Sequence, residues 1–192
     1  MRLIRFADLV PTPWKNGGGI TTEIAASPAG AGFGDFDWRL SIADVASDGP
    51  FSLFAGIDRT LTLIAGNGLV MTIDGGRPLT LTRTSPPLSF PGDVPVSAAL
   101  VAGPIRDFNV MTRRGRYAHS VTRHDLKTGP AALPSGGTRL VVSLGAGSLG
   151  IAGARVTVGF GDVIEAEGPA SGSLEGFDGL QDILVVQLTP AG

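Results

Sequence analysis

Residues 59–76 read RTLTLIAGNGLVMTIDGG, and residues 139–156 read RLVVSLGAGSLGIAGARV. Each opens on Arg, runs through a short apolar stretch, reaches Gly-x-Gly, and continues into a second stretch and a turn. Gly66 and Gly68 answer Gly145 and Gly147. Gly-x-Gly between two β-prone runs predicts a tight reversal between paired strands, where positive φ is needed and glycine adopts it freely. A strand–turn–strand unit that recurs predicts a duplicated β-domain.

The rest of the chain carries the same signature. No long stretch places apolar residues at helical spacing without a Gly or Pro interrupting it. About fourteen short runs rich in Val, Ile, Leu, Thr and Phe recur every 8–12 residues or so, which is the pattern of a β-sandwich or barrel. Gly and Pro together exceed a fifth of the 192 residues, against roughly 12% in ordinary proteins. Fourteen strands suit two small barrels rather than one. The Pro-, Gly- and Ser-rich stretch 122–137 is the natural crossover, so the expected domains are 1–121 and 122–192, packed as one compact unit. Phe90-Pro91-Gly92-Asp93 and Phe160-Gly161-Asp162 are a second, weaker echo between the halves.

Composition excludes several functions. There is no Cys and there are two His, so disulfides, zinc fingers, thiol nucleophiles and iron–sulfur clusters are out. Net charge is −2, which argues against a general nucleic-acid or membrane-surface binder. The one basic run, Arg113-Arg114-Gly115-Arg116, reads as a solvated loop. The start, MRLIRFADLV, is too short and too charged for a signal peptide, and no apolar run reaches membrane-spanning length. Cytoplasmic residence is the expectation.

The repeated order of strands and turns looks like a cupin jelly roll, and two of them make a bicupin. The usual cupin metal motif, counted back from Gly66, puts Arg59 at the Glu position and Ser52 and Phe54 near the His positions. A guanidinium stays protonated in a protein and a phenyl ring has no lone pair, so no metal or other cofactor is expected. A cation there suits a carboxylate or phosphate instead. A pairing of Arg59 with Asp58 or Asp44 at a strand end is the plain alternative. In Trp38-Arg39-Leu40-Ser41-Ile42-Ala43, alternation sets Trp38, Leu40 and Ile42 against Arg39, Ser41 and Ala43. The polar set faces either solvent or a cavity. Asn109, Met111 and Arg113 share a face in the same way, and Asn109 could orient a ligand. Trp14-Lys15-Asn16-Gly17-Gly18-Gly19 is neither a phosphate loop nor a dinucleotide fingerprint. It reads as a bend between strands or as backbone that approaches a ligand closely. His119 and His124 read as surface residues, Glu165 and Glu167 as solvated carboxylates on one strand face, and no nucleophile elbow is present.

Four segments together resemble the HutD/Ves family. They are Pro13 to Gly19 followed by Thr21, Glu23 and Ile24; Phe36-Asp37-Trp38-Arg39-Leu40-Ser41-Ile42-Ala43; Gly49-Pro50-Phe51-Ser52-Leu53-Phe54-Ala55-Gly56-Ile57-Asp58-Arg59; and Gly103-Pro104-Ile105-Arg106-Asp107-Phe108-Asn109-Val110-Met111-Thr112-Arg113. Beyond Arg113 the likeness is one of length and repeat pattern. The resemblance implies a cytoplasmic bicupin without the usual metal ligands, tied to histidine-utilisation operons in some members and to stress responses in others. It implies small-molecule binding or regulation, with formylated or acidic breakdown products of histidine as plausible ligands.

The expected function is therefore a metal-independent binder of a small anionic metabolite, a carboxylate, in the N-terminal barrel. Arg39 and Arg59 hold the anion. Ser41, Ser52 and Asn109 hydrogen-bond it. Trp14, Asn16 and Glu23 line the entrance, and Phe51 is an apolar wall. Two alternatives stand beside it. One is a metal-free isomerase or hydrolase with Glu23 as general base, a role that requires burial to make its carboxyl more basic. The other is an interaction module with exposed Phe and Trp around the glycine run. Jelly rolls often pair through edge strands, so a homodimer is one assembly open to this chain, whose oligomeric state is not legible in the sequence.

Overall fold

The computed structural model describes every residue except Phe33 and residues 167–170. Short β-prone runs broken by Gly and Pro become nineteen strands and one turn of 3-10 helix at Phe6–Asp8, among the described residues. In chain order the first are β1 (Arg2–Ile4), β2 (Pro11–Pro13), β3 (Gly19–Ser27), β4 (Trp38–Val45), β5 (Gly49–Pro50), β6 (Ile57–Ala65), β7 (Leu69–Ile73), β8 (Leu79–Leu81) and β9 (Leu88–Pro91). They continue with β10 (Val96–Leu100), β11 (Ile105–Arg113), β12 (Tyr117–Asp125), β13 (Ala131–Leu133), β14 (Thr138–Ser143) and β15 (Gly147–Ile151). The last are β16 (Ala154–Val158), β17 (Val163–Ala166), β18 (Gly172–Phe177) and β19 (Asp182–Pro190). No helix among the described residues is long and apolar enough to cross a membrane.

Two compact units form. The N-terminal unit, Val10–Ala118, holds a six-stranded sheet ordered β2-β3-β4-β11-β6-β9 and a four-stranded sheet ordered β5-β10-β7-β8. Ala43, Val45, Leu61 and Leu63 of the first sheet share one apolar core with Leu69, Met71, Leu81, Val96 and Ala98 of the second. The C-terminal unit, His119–Gly192 with Met1–Leu9, has sheets ordered β1-β17-β14-β19-β12 and β13-β18-β15-β16. Val141, Ile164, Ile183 and Val185 pack there with Leu149, Ile151, Val158 and Leu174. The all-β expectation holds, and all four sheets are open.

The internal repeat extends well past the two quoted stretches. β6 lies between β9 and β11 as β14 lies between β17 and β19, and β7 lies between β8 and β10 as β15 lies between β16 and β18. β4 neighbours β11 as β12 neighbours β19, and β5 neighbours β10 as β13 neighbours β18. Strands β4–β11 thus match β12–β19 one for one. The expected reversal at Gly-x-Gly needs correction. β6 and β7 belong to different sheets, as do β14 and β15, so each Gly-x-Gly is a corner that carries the chain from one sheet to the other. Gly66 and Gly68 have φ of +97° and +138°, and Gly147 has +151°. A Cβ on Gly66 would lie 2.8 Å from the Ile105 Cα, and one on Gly147 would lie 2.5 Å from the Leu180 nitrogen. The first repeat is one residue longer between Arg and glycine because β6 carries a bulge: Leu63 pairs with Asp107 and Ala65 with Arg106, and Ile64 is skipped.

The weaker echo does not follow the repeat. Gly92-Asp93 comes after β9, whereas Gly161-Asp162 comes before β17, the strand equivalent to β9. Asp162 instead anchors the start of the chain. Its carboxylate accepts from Arg5 Nη1 at 2.7 Å and from the Phe6 backbone N–H at 2.9 Å. Arg2, Leu3 and Ile4 pair with Glu165, Ile164 and Val163. The chain start therefore joins the C-terminal unit, where an uninterrupted 1–121 domain is the sequence expectation. Glu165 is ion-paired with Arg2 at 2.8 Å. Its expected companion Glu167 lies outside the described residues. His124 Nε2 is 2.9 Å from the Thr122 hydroxyl.

Candidate functional site

Alternation along β4 and β11 decides where the polar side chains go. Ala43 and Val45 belong to the core between the two N-terminal sheets, so Arg39 and Ser41, on the same strand face, point into that space. Opposite them in register are Met111 for Arg39, Asn109 for Ser41 and Asp107 for Ala43. Arg59 on β6 lies across from Met111, and Glu23 on β3 lies across from Ser41. The opposite face, with Leu40, Ile42, Phe108 and Val110, is buried too. The alternation in Trp38 to Ala43 thus separates two buried faces rather than a buried one from a solvated one.

The inward face carries a bonded chain of polar groups. Arg59 donates from Nε at 2.8 Å and from Nη2 at 2.5 Å to one atom, Asn109 Oδ1. The Asn109 amide then donates from Nδ2 to Asp107 Oδ1. Arg donates only, so Oδ1 must face it and Nδ2 must face the carboxylate. Neither Asp58 nor Asp44 pairs with Arg59: Asp58 holds Arg114 and Asp44 holds Arg106, each at 2.6 Å. The Arg59 guanidinium carbon sits 4.6 Å from the centroid of Phe51 and 5.5 Å from that of Phe90. Both protein hydrogen bonds of this guanidinium leave from Nε and Nη2; among the described residues Nη1 has no protein acceptor. Beside it, Arg39 donates from Nε to Glu23 Oε2 at 2.7 Å and from Nη1 to Ser41 Oγ at 3.3 Å.

Burial governs the electrostatics. Asp107 is 1% exposed, and loss of hydration pushes its carboxyl up to about 6, against the pull of Arg59 and the Asn109 bond. Burial likewise brings the Arg59 guanidinium down to about 10, with Asp107 opposing the shift and Arg39 adding to it. Arg59 therefore stays a cation at neutral pH. A permanent cation aimed into this interior does not fit a divalent metal, and Ser52 and Phe54 supply no ligand nitrogen.

Six of the nine expected site residues come together: Glu23, Arg39, Ser41, Phe51, Arg59 and Asn109. Trp14 is half-buried against the same apolar core, and its indole N–H donates to Thr21 Oγ1 at 2.7 Å. Asn16 is exposed and closes its own turn by accepting from the Gly18 N–H at 3.0 Å. The three glycines each have a local reason. Gly17 has φ of +71°, Gly18 would clash with Ser47, and a Cβ on Gly19 would lie 2.5 Å from the Asp44 carbonyl oxygen. Ser52 is exposed in the loop after β5. Glu23 is 40% exposed and ion-paired, which is not the buried carboxylate a general base requires. Trp14 and Phe51 turn their rings toward the core rather than forming an exposed patch. Asp107 is the residue that sequence reasoning passed over: next to Arg106 at the start of a strand it reads as a surface charge. Its two-residue spacing from Asn109 was the available signal.

Among the described residues, the C-terminal unit does not repeat the Arg–Asn–Asp chain. Arg139 pairs in register with Gln187 as Arg59 does with Met111, so Val185 and Ile183 stand where Asn109 and Asp107 stand. Arg139 donates instead from Nη1 to the Pro134 carbonyl at 3.0 Å.

Both the sequence and the strand arrangement are matched by known proteins. The HutD family model aligns with residues 6–179. The chain belongs to the HutD family. An uncharacterized 21.2 kDa protein in the hutC 3′ region of Pseudomonas putida is 43% identical over 119 residues, which is 61% of this chain and 60% of that protein. This chain thus matches less than two thirds of that relative's length. Protein Ves of Citrobacter koseri is 42% identical over 139 residues, covering 71% of this chain and 70% of Ves. The solved structure of HutD from Pseudomonas fluorescens SBW25, in a formate condition, superposes with a TM-score of 0.85 at 36% identity over 100% of this chain and 99% of that one. A cupin conserved-barrel protein from Leptotrichia buccalis, 13% identical with a TM-score of 0.59 over 98% of this chain and 96% of its own, shares the fold.

Proposed function

We propose that this protein binds a small carboxylate on Arg59 inside its N-terminal unit and acts as a metal-independent regulator or modulator of catabolism. The observation that carries the reading is the Arg59 guanidinium: buried, charged, flanked by two phenyl rings, and left with Nη1 unclaimed by the protein. Asn109 holds the guanidinium by its other edge, so the free edge is aimed before a ligand arrives. Charge-assisted bonds from an arginine in a low-dielectric interior are the strong kind. Arg39 and Ser41 extend the polar wall, Glu23 stands at its partly exposed end, and Phe51 covers the apolar side. In this reading the two eight-stranded repeats are two jelly-roll barrels of a bicupin, and the N-terminal one carries Asn109 and Asp107 where the other has Val185 and Ile183. The P. putida relative's place beside hutC supports a link to histidine utilisation, with an acidic or formylated breakdown product as ligand. The protein would work in the cytoplasm, without nucleic acid or membrane, as a homodimer.

The test is calorimetry with a panel of short-chain and histidine-derived carboxylates. Binding to the native chain should weaken by about 30-fold or more in Arg59→Ala, from the loss of a charge-assisted pair worth some 2–5 kcal/mol. Affinity unchanged from the native chain in both Arg59→Ala and Arg39→Ala would remove the site.

A further inference from the structure

Asp107 is a deeply buried carboxyl whose balancing charge is not in contact with it. Its side-chain hydrogen bond comes from Asn109 Nδ2, and among the described residues it forms no ion pair. Arg59 of β6 lies on the far side of the Asn109 amide. The other charged groups on this inward face are Arg39 of β4 and Glu23 of β3, which pair with each other at 2.7 Å. Asp44 of β4 and Arg106 of β11 pair on the opposite strand face, and Asp58 of β6 is held by Arg114. The opposing sheet presents Leu69, Met71, Leu81, Val96 and Ala98.

With Asp107 ionised, this interior holds two positive and two negative charges. An anion seated on Nη1 of Arg59 adds a third negative charge to a low-dielectric space and consumes the field that keeps Asp107 ionised. A neutral acid at Asp107 restores the balance. The Asn109 Nδ2 bond survives the change, because a protonated carboxyl still accepts through its carbonyl oxygen.

We propose that seating a carboxylate on Arg59 makes Asp107 take up a proton from solvent, so that the protein captures its ligand as an anion plus a proton. The inference rests on the carboxylate-binding reading above. The free carboxyl already titrates close to neutrality, at about 6, so a nearby anion needs to move it little. Linkage is reciprocal: the factor by which the ligand tightens proton binding is the factor by which the proton tightens ligand binding. Falling pH therefore strengthens capture, and rising pH releases the ligand.

The experiment is calorimetry of the intact chain with sodium acetate, in buffers of one pH but different ionisation enthalpies, repeated at pH 6, 7 and 8. Uptake of about half to one proton per acetate is expected near pH 7, with affinity falling there by the matching factor of roughly three- to tenfold per pH unit. In Asp107→Asn the uptake should vanish and the affinity should stay level across that range. Acetate binding without proton uptake, or uptake that persists in Asp107→Asn, overturns the inference and leaves the carboxylate site standing. Failure of acetate to bind the native chain overturns the site and the inference together. If Asp107→Asn does not fold, the native proton count decides the matter along with a carbon-13 titration of the Asp107 carboxyl, whose midpoint must rise in acetate.

Discussion

Asn109 holds two opposite charges apart with one amide, Oδ1 toward Arg59 and Nδ2 toward Asp107. Replacing it by Leu leaves a buried guanidinium and a buried carboxyl without their shared partner. The loss should be about 3–5 kcal/mol in urea unfolding, the range for breaking a buried charged network. Asp107 also sets a pH dependence. Its folded pKa, about 6, lies above its ordinary value of 3.8, so its contribution to stability is complete below about pH 4 and is lost as pH rises through 6. The decline amounts to something on the order of 2–3 kcal/mol. Unfolding free energies of the native chain should therefore fall between pH 4 and 7 relative to Asp107→Asn, in which the carboxyls common to both proteins cancel. Parallel profiles for the two proteins would contradict this account of Asp107.

At the scale of elements, the two Gly-x-Gly corners make a sharper prediction than any hairpin would. Gly147 has φ of +151°, and a Cβ there would lie 2.5 Å from the Leu180 nitrogen, so only glycine leaves room for that backbone. Gly145, two residues earlier, faces open space. Gly147→Ala should cost at least about 2 kcal/mol, because it combines a strained φ with a backbone clash. Gly145→Ala should stay within about 0.5 kcal/mol, as open surface substitutions do. Denaturant midpoints of the two variants settle the matter; similar midpoints would mean the corner is not as tight as described. In β6 the bulge at Ile64 does a related job. It lets Arg59 and Leu61 keep their inward register while the strand bends into the corner.

The whole chain is built as one eight-strand pattern used twice, with different interiors. Asn109 and Asp107 in the N-terminal copy are replaced by Val185 and Ile183 in the other. Ligand protection should follow that division: acetate should slow amide exchange along β4, β6 and β11 and leave β14 and β19 unchanged. Protection of β14 and β19 would relocate the site. The C-terminal unit has its own long-range tie, the Asp162 carboxylate, which accepts from Arg5, the Phe6 N–H and the Gly159 N–H. Asp162→Ala should lower stability by roughly 2–4 kcal/mol and raise exchange in β17, next to which β1 lies.

Local pattern alone determined the β class, the repeat and an Arg where the cupin motif carries Glu. All three are written in spacing, turn residues and side-chain chemistry. It also brought out Arg39, Ser41 and Asn109, because two-residue alternation groups side chains by strand face, and Arg59, by its place where the cupin motif has Glu. What alternation cannot say is which face looks inward, and here both faces are buried. Only the pairing of sheets across the Ala43–Val45 side of β4 decided that the polar set lines the interior. Tertiary structure alone also turned the expected Gly-x-Gly hairpins into sheet-to-sheet corners and moved Met1–Leu9 to the C-terminal unit. It brought Asp107 to within one amide of Arg59, although the two are far apart in sequence. Strand partners distant along the chain make each of these choices, through backbone pairing and desolvation that no local window contains.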